Sequence, residues 1–224
     1  MERVNLALIG CGYWGKNYLS TISNNLDINL KYIVDLEKLS IPLPYKTKYS
    51  SDINEVLNDN TINGIIVSTP SDSHYKIASK ILESKKHVLV EKPLTTNSAE
   101  AEKLCHRAVD LSLVLMVGHI FKYNNAVINL KERIDRGEIG DLKYIESRRV
   151  GLGPVRQDVS VLWDLATHDI YISNFLVGNM PKSVNCTGIS HNGKISDIVS
   201  LNMKYPKDIF SSIYVNWEHP IKER

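Results

Sequence analysis

Val4-Asn5-Leu6-Ala7-Leu8-Ile9-Gly10-Cys11-Gly12-Tyr13-Trp14-Gly15-Lys16 decides the fold of this 224-residue chain. A short apolar run ends in a G-x-G-x-x-G loop that opens into a helix-compatible segment. Twenty residues beyond Gly15 lies Asp35, at the end of a second apolar run, Leu30-Lys31-Tyr32-Ile33-Val34. Strand, glycine loop, helix, second strand and acidic residue at that offset form the fingerprint of a dinucleotide-binding unit. Gly10 permits the tight turn, Gly12 lets the backbone approach a pyrophosphate, and Gly15 lets helix and strand pack closely. The helix N-terminus offers free N–H groups to the phosphates. Tyr13 and Trp14, within the loop, join the cofactor-binding set. Cys11 reads as a small residue fitting a tight turn rather than as a redox switch.

From about residue 3 to 118 the pattern alternates strand and helix. Strands are predicted over Val4 to Ile9, Leu30 to Asp35, Ile65 to Ser68, His87 to Val90 and Leu113 to Val117. Helices are predicted from Tyr13 to about Asn24, Ser51 to Asn58, Ser73 to Ser84, and from an Asn97 cap to about Asp110, with Glu100 placed for a capping box. Pro42 and Pro44 break the connection after the second strand. Short apolar strands separated by helices predict a doubly wound α/β parallel sheet covered on both faces.

The character changes after Gly118. Asn125 to Arg136 reads as a helix stopping at Gly137. Leu142 to Val150 alternates as a half-buried strand does, Gly151 to Ser160 is loop-like, and Val161 to Leu176 is helical up to Gly178. Strand-like runs follow at Ser183 to Ile189, Ile198 to Tyr205 and Ile209 to Trp217. The pattern predicts two domains: a Rossmann-type domain over 1–118 and an α+β domain with an open, mostly antiparallel sheet over 119–224.

Bulk properties bound the partners. Hydrophobic residues make up 43% and charged residues 23% of the chain, as in an ordinary globular protein. A net charge of +2 calls for neither nucleic acid nor a membrane surface. No apolar run approaches membrane-spanning length and no secretory leader is evident, so the expectation is a cytoplasmic protein. The three cysteines, Cys11, Cys105 and Cys186, have neither disulfide-framework nor metal-site spacing.

In an open parallel sheet, ligands sit at the carboxyl ends of the strands. Asp35, after the second strand, would accept hydrogen bonds from the adenosine ribose hydroxyls and repel a 2′-phosphate. That favours NAD over NADP, although Lys38 follows close behind. Ser68-Thr69-Pro70 follows a third strand, and His74 beyond it reads as a first-turn helix residue. Glu91-Lys92-Pro93 follows the strand ending at Val90, which places Lys92 at the reaction centre, and Pro93 restricts its backbone to extended geometry. Gly118-His119 stands at the domain junction. In the second half, Asp164 and His168 are four apart and share a helix face with Tyr171 and Phe175. On a bare helix such a pair would be a surface ion pair of little value; beside a dinucleotide site and Lys92 it reads as functional.

Together these residues resemble the Gfo/Idh/MocA oxidoreductases, over essentially the whole chain. Gly10-Cys11-Gly12-Tyr13-Trp14-Gly15 looks like the family's nucleotide loop, Glu91-Lys92-Pro93 its E-K-P motif and Asp164-x-x-x-His168 its D-x-x-x-H motif. Gly118-His119 with Lys122-Tyr123-Asn124 resembles its interdomain segment. Gly151 to Asp158, leading into Trp163-Asp164, most resembles the branch that oxidises sugars or nucleotide-linked sugars in surface-polysaccharide biosynthesis. The resemblance implies an NAD-dependent dehydrogenase with Lys92, Asp164 and His168 as its catalytic group. Gly10, Gly12, Tyr13, Trp14, Gly15, Asp35, Ser68, Thr69, Pro70, Glu91, Lys92 and His119 would lie at the cofactor, and Tyr123, Arg156 and Gln157 at the substrate.

In that reading His168 is the general base, since an unperturbed imidazole exchanges protons near neutrality. Lys92 stabilises the developing alkoxide, Asp164 orients both, and Arg156 suits a phosphate or carboxylate. Lys92 as the base is the alternative. A non-catalytic NAD-binding subunit, and an oxidoreductase acting on an imine or a non-sugar alcohol, are the competing readings.

Chains of the family continue further. This one stops at His219 to Arg224, directly after a strand-like run, so an incomplete sheet with an unpaired edge is expected. Ile198, Leu201, Ile209, Ile213 and Val215 are expected to form an uncovered apolar face, and hence a homo-oligomer (dimer or tetramer) through the C-terminal sheet.

Overall fold

The computed structural model describes residues 3–224 apart from 38, 40–42, 45, 154, 155, 157 and 192. The expectations for Lys38, Pro42 and Gln157 therefore lie outside the described residues. The chain divides into two compact units, 1–118 and 119–224.

In the first unit, β1 (Val4–Ile9), β2 (Ile28–Val34), β3 (Lys48–Ser50), β4 (Gly64–Val67), β5 (His87–Val90) and β6 (Leu115–Val117) form one sheet. Its order is β3-β2-β1-β4-β5-β6, and every pairing is parallel. The strands are nearly unbroken apolar runs because both faces are covered. Ala7 and Ile9 of β1 and Ile65 and Val67 of β4 face one buried cluster, while the intervening Leu8 and Ile66 face another. Leu19 and Ile22 of α1 (Gly15–Ser23) cover the second face. Ala78, Ile81 and Leu82 of α3 (His74–Glu83) and Leu104 and Ala108 of α4 (Ser98–Asp110) cover the first, with Val56 of the short α2 (Ile53–Leu57). Asn97 caps α4 by accepting from the Ala99 and Glu100 N–H groups. The reciprocal half of the expected capping box is replaced: the Asn97 N–H donates to Thr95 Oγ1. The three-residue β3 carries too little periodicity to be seen in sequence.

The second unit holds α5 (Asn125–Asp135), β7 (Tyr144–Val150), α6 (Thr167–Val177), β8 (Ser183–Ile189), β9 (Ile198–Lys204) and β10 (Phe210–Asn216). Its sheet runs β7-β10-β9-β8, with β10 parallel to β7 and antiparallel to β9, and β8 antiparallel to β9. α6 ends at Gly178, whose left-handed conformation (φ 73°) closes the helix. One expectation is overturned here. Leu201, Ile209, Ile213 and Val215 are buried, and Ile198 is half-buried. Leu201 of β9, Ile213 and Val215 of β10 and the preceding Ile209 pack with Val161, Ala166 and Ile170 into one core, of which Ile198 is not a part. The opposite face carries the outward positions instead, among them a stacked Tyr144–Phe210 pair with ring centroids 5.8 Å apart. The edge strand β8 is exposed along its whole length.

Candidate active site

Register builds the candidate site of the first unit. Ile9 pairs with both Val34 and Val67, Val67 with Val90, and Val90 with Val117, so five strand ends are level. The next residue on each strand therefore falls in one row along the carboxyl edge: Gly10, Asp35, Ser68, Glu91 and Gly118. Backbone hydrogen bonds carry the ladder into that row, from Gly10 N to Val34 O, Ser68 N to Ile9 O, Glu91 N to Val67 O and Gly118 N to Val90 O. The strand order reverses between β1 and β4, and an open α/β sheet binds ligands in the crevice at such a switch point.

Gly10 turns the chain with φ +86°, and a Cβ there would lie 2.7 Å from the Ser68 carbonyl oxygen. Ser68 Oγ donates to Gly10 O at 2.9 Å, locking the loop. A Cβ on Gly12 would meet nothing within 4 Å, so its backbone faces open space. Trp14, at the N-cap of α1, makes no side-chain cap, and no acidic residue occupies the first turn. An open cradle at an uncontested helix N-terminus fits a dinucleotide pyrophosphate. Asp35 Oδ2 accepts the Cys11 N–H at 2.6 Å and Oδ1 accepts the Glu37 N–H at 3.1 Å, which pins the carboxylate beside the loop. Each oxygen retains acceptor capacity for a ribose hydroxyl. Cys11 is buried, and its thiol is pushed up by burial and by Asp35, which marks it as an inert packing residue.

Glu91 is 7% exposed. Its Oε1 accepts the Trp14 indole N–H and, at 2.6 Å, the Tyr18 hydroxyl, and its Oε2 accepts the Lys92 N–H at 3.2 Å. Burial and this carboxylate hold the Tyr18 hydroxyl well above its usual range. A Cβ on Gly118 would come within 2.9 Å of Glu91 Oε1, so the glycine leaves room for the carboxylate. Glu91 thus ties α1 to the turn carrying Lys92, a role within the protein that its strand-end position alone did not reveal. Tyr13, by contrast, is 87% exposed. Pro70 precedes a short 3-10 turn, Ser71–Ser73, and Thr69 Oγ1 pairs with Ser73 Oγ at 2.6 Å. His74 is buried as the first residue of α3, its ring nitrogens 2.8 Å from Pro93 O and 2.9 Å from Thr69 O. The ring straps the loop after β4 to the loop after β5. The Lys92–Pro93 peptide is cis.

In the second unit, Leu162–Ala166 forms a π-helical turn leading into α6. Asp164 lies in that turn and His168 in the first turn of α6, so the pair does not sit on one regular α-helix. Widened turns of this kind recur at functional sites. Arg156 bonds both carboxylates near it, Asp158 through Nε at 2.9 Å and Asp164 through Nη1 at 3.3 Å. The Trp217 indole N–H donates to Asp164 Oδ2 at 3.3 Å. His119 stacks on Tyr171 (4.8 Å, 15°), which stacks on Phe175 (6.2 Å, 11°). Phe121 meets the His168 ring edge-on at 5.0 Å. Tyr123 is exposed at the end of the 3-10 turn Ile120–Tyr123. Arg149 of β7 forms a buried bidentate pair with Asp169 of α6, bonding through Nε at 2.7 Å and Nη2 at 3.1 Å. Sequence reading missed this pair, because a strand arginine and a helix aspartate twenty positions apart carry no local signal.

Among the described residues no helix is long and apolar enough to cross a membrane. The profile of an oxidoreductase family with an NAD-binding Rossmann fold, GFO_IDH_MocA, matches residues 4–119, and that of the GFO/IDH/MocA C-terminal domain matches residues 127–224. An uncharacterized oxidoreductase of Streptococcus pneumoniae serotype 4 is 26% identical over 227 residues, covering 93% of this chain and 61% of its own. The scyllo-inositol 2-dehydrogenase (NAD(+)) of Bacillus subtilis is 31% identical over 153 residues, covering 66% of this chain and 43% of its own. The crystal structure of GenD2 from gentamicin A biosynthesis, in complex with NAD, shares the fold with a TM-score of 0.90 at 21% identity, over 99% of this chain and 68% of its own. The chain thus spans less than two thirds of the length of both relatives.

Proposed function

The chain belongs to the Gfo/Idh/MocA oxidoreductase family, and from that premise we propose that it carries the catalytic part of an NAD-dependent dehydrogenase that oxidises a secondary hydroxyl of a sugar or nucleotide-linked sugar. The level row of strand ends carries this reading. It sets the glycine loop, Asp35 and the turn holding Lys92 along one edge of one sheet. The inositol dehydrogenase among the relatives supports a polyhydroxylated ring as substrate.

Gly10, Gly12, Gly15 and the start of α1 would hold the pyrophosphate, and Asp35 the adenosine ribose. Bound NAD supplies the hydride acceptor for the carbinol carbon. His168 takes the hydroxyl proton as that carbon becomes a carbonyl. The role of the Lys92 ammonium in this reading is to stabilise the negative charge that grows on the carbinol oxygen. Asp164, its carboxylate already fixed by Arg156 and Trp217, balances the added positive charge. Arg156 would reach a substrate phosphate or carboxylate only by loosening its bonds to Asp158 and Asp164. Incubating the protein with NAD and a panel of free sugars, inositols and nucleotide sugars, with NADH absorbance as the readout, tests the reading. Silence across the panel from a protein that binds NAD favours a non-catalytic role.

Asp35 sets a cofactor prediction. NAD binds at least several-fold more tightly than NADP, and Asp35→Ser narrows the gap, in paired titrations of both cofactors. Equal affinity in the unaltered protein removes the role assigned to Asp35.

We also propose self-association through the open sheet of the second unit, now by its outward face with the Tyr144–Phe210 stack rather than by the buried residues of β9 and β10. Sedimentation decides: a strictly monomeric, well-folded chain rejects the interface.

A further inference from the structure

We infer that the buried Arg149–Asp169 pair positions the His168 imidazole, acting through the ring of Phe121; this rests on the reading of His168 as the base. Arg149 is 7% and Asp169 4% exposed. The guanidinium grips both carboxylate oxygens, and Ser147 Oγ donates to Asp169 Oδ1 at 2.6 Å. A bidentate fork fixes the guanidinium plane as a lysine ammonium does not. That guanidinium lies 4.8 Å from the centroid of the Phe121 ring. Phe121 in turn presents its ring to His168 at 5.0 Å and 68°. Asp169 is also the next residue after His168 on α6. The pair therefore holds His168 twice, through its backbone neighbour and through an aromatic plate backed by a cation.

Stability is a weak reason for such a pair, since well-packed apolar replacements of buried ion pairs are often neutral or stabilising. Orientation is the property an apolar replacement lacks. Proton transfer requires the base within about 2.6–3.2 Å of the hydroxyl oxygen, and a misplacement of about 1 Å can cost about a hundredfold in rate.

Two variants of the full chain test the inference. Arg149→Met with Asp169→Leu removes both charges together, avoiding the lone buried charge a single change would leave. Phe121→Leu keeps the ion pair and removes the plate. In the double variant, which keeps the Phe121 ring, the His168 ring resonances in histidine-labelled NMR spectra shift away from their ring-current-displaced positions, and in both variants NAD affinity stays within about twofold. Turnover of the substrate found in the panel falls about 10- to 100-fold with little change in KM. Unmoved His168 resonances and unaltered turnover in folded variants overturn the inference. If the double variant fails to fold, Phe121→Leu decides alone. His168→Ala, assayed in parallel, separates the two readings. Full turnover there rejects His168 as the base, while the NMR signals of the double variant still report whether the pair orients the His168 ring.

Discussion

Lys92→Ala lowers turnover by about 10²- to 10⁴-fold while NAD affinity stays within about twofold. The argument starts from register. Val90 is level with Val67 and Val117, so the turn after β5 emerges in the same row as the glycine loop. The Lys92 N–H is held by Glu91 Oε2, and Glu91 is anchored in turn by Trp14 and Tyr18. The backbone of Lys92 is therefore placed whether or not its side chain is present, and the alanine variant removes an ammonium without loosening the turn. An interaction realised only as the oxygen gains negative charge appears in kcat and not in cofactor binding. His168→Ala produces a loss of the same order. Stopped-flow measurement of NADH formation together with equilibrium NAD titration checks both. A Lys92 variant that turns over normally rejects the lysine. A His168 variant that turns over normally transfers the base to Lys92.

How much of this was legible in the sequence differs between the two units, for a physical reason. β1, β4 and β5 are short apolar runs followed directly by glycine, Ser-Thr-Pro and Glu-Lys-Pro, and a parallel sheet buried on both faces leaves its strands no other composition. The glycine spacing and Asp35 are local signals, and local signals survive in one dimension. The contacts that hold the site together are not local. Glu91 meets Trp14 and Tyr18 across more than seventy residues, and His74 spans nineteen to reach Pro93. In the second unit the alternation of β9 and β10 was readable, but which face the helix covers was not. Leu201, Ile213 and Val215 were therefore expected on the open side and are found in the core. The parallel pairing of β10 with β7 joins segments some sixty residues apart and leaves no periodic trace. The π-helical turn at Leu162–Ala166 changes the angular relation of Asp164 to His168, and no composition signal announces one extra residue in a helical turn.

Gly15→Ala is expected to cripple the first unit, because the added methyl has nowhere to go. Its Cβ would lie 2.2 Å from the carbonyl oxygen of Gly10, 2.9 Å from Ser68 Oγ and 3.0 Å from the Gly10 carbonyl carbon. These neighbours cannot yield cheaply. The Gly10 N–H is bonded to Val34 O at 2.9 Å, its carbonyl accepts Ser68 Oγ at 2.9 Å, and its φ of +86° is open to little besides glycine. Either α1 slides off the sheet, uncovering Leu19 and Ile22, or the loop opens; both deform the pyrophosphate cradle. Overpacking of this kind costs about 1–3 kcal/mol, and more where backbone is the obstacle. Thermal melts should show the loss of stability, and NAD titration a fall in affinity of at least about tenfold, the equivalent of 1.4 kcal/mol. Gly12→Ala is the control that separates the two causes. Its Cβ meets no protein atom within 4 Å, so the melting temperature should hold while NAD affinity drops. If Gly15→Ala melts and binds NAD like the unaltered chain, the close helix–strand approach is not what the third glycine provides. If Gly12→Ala binds NAD unimpaired, the pyrophosphate does not lie against that backbone.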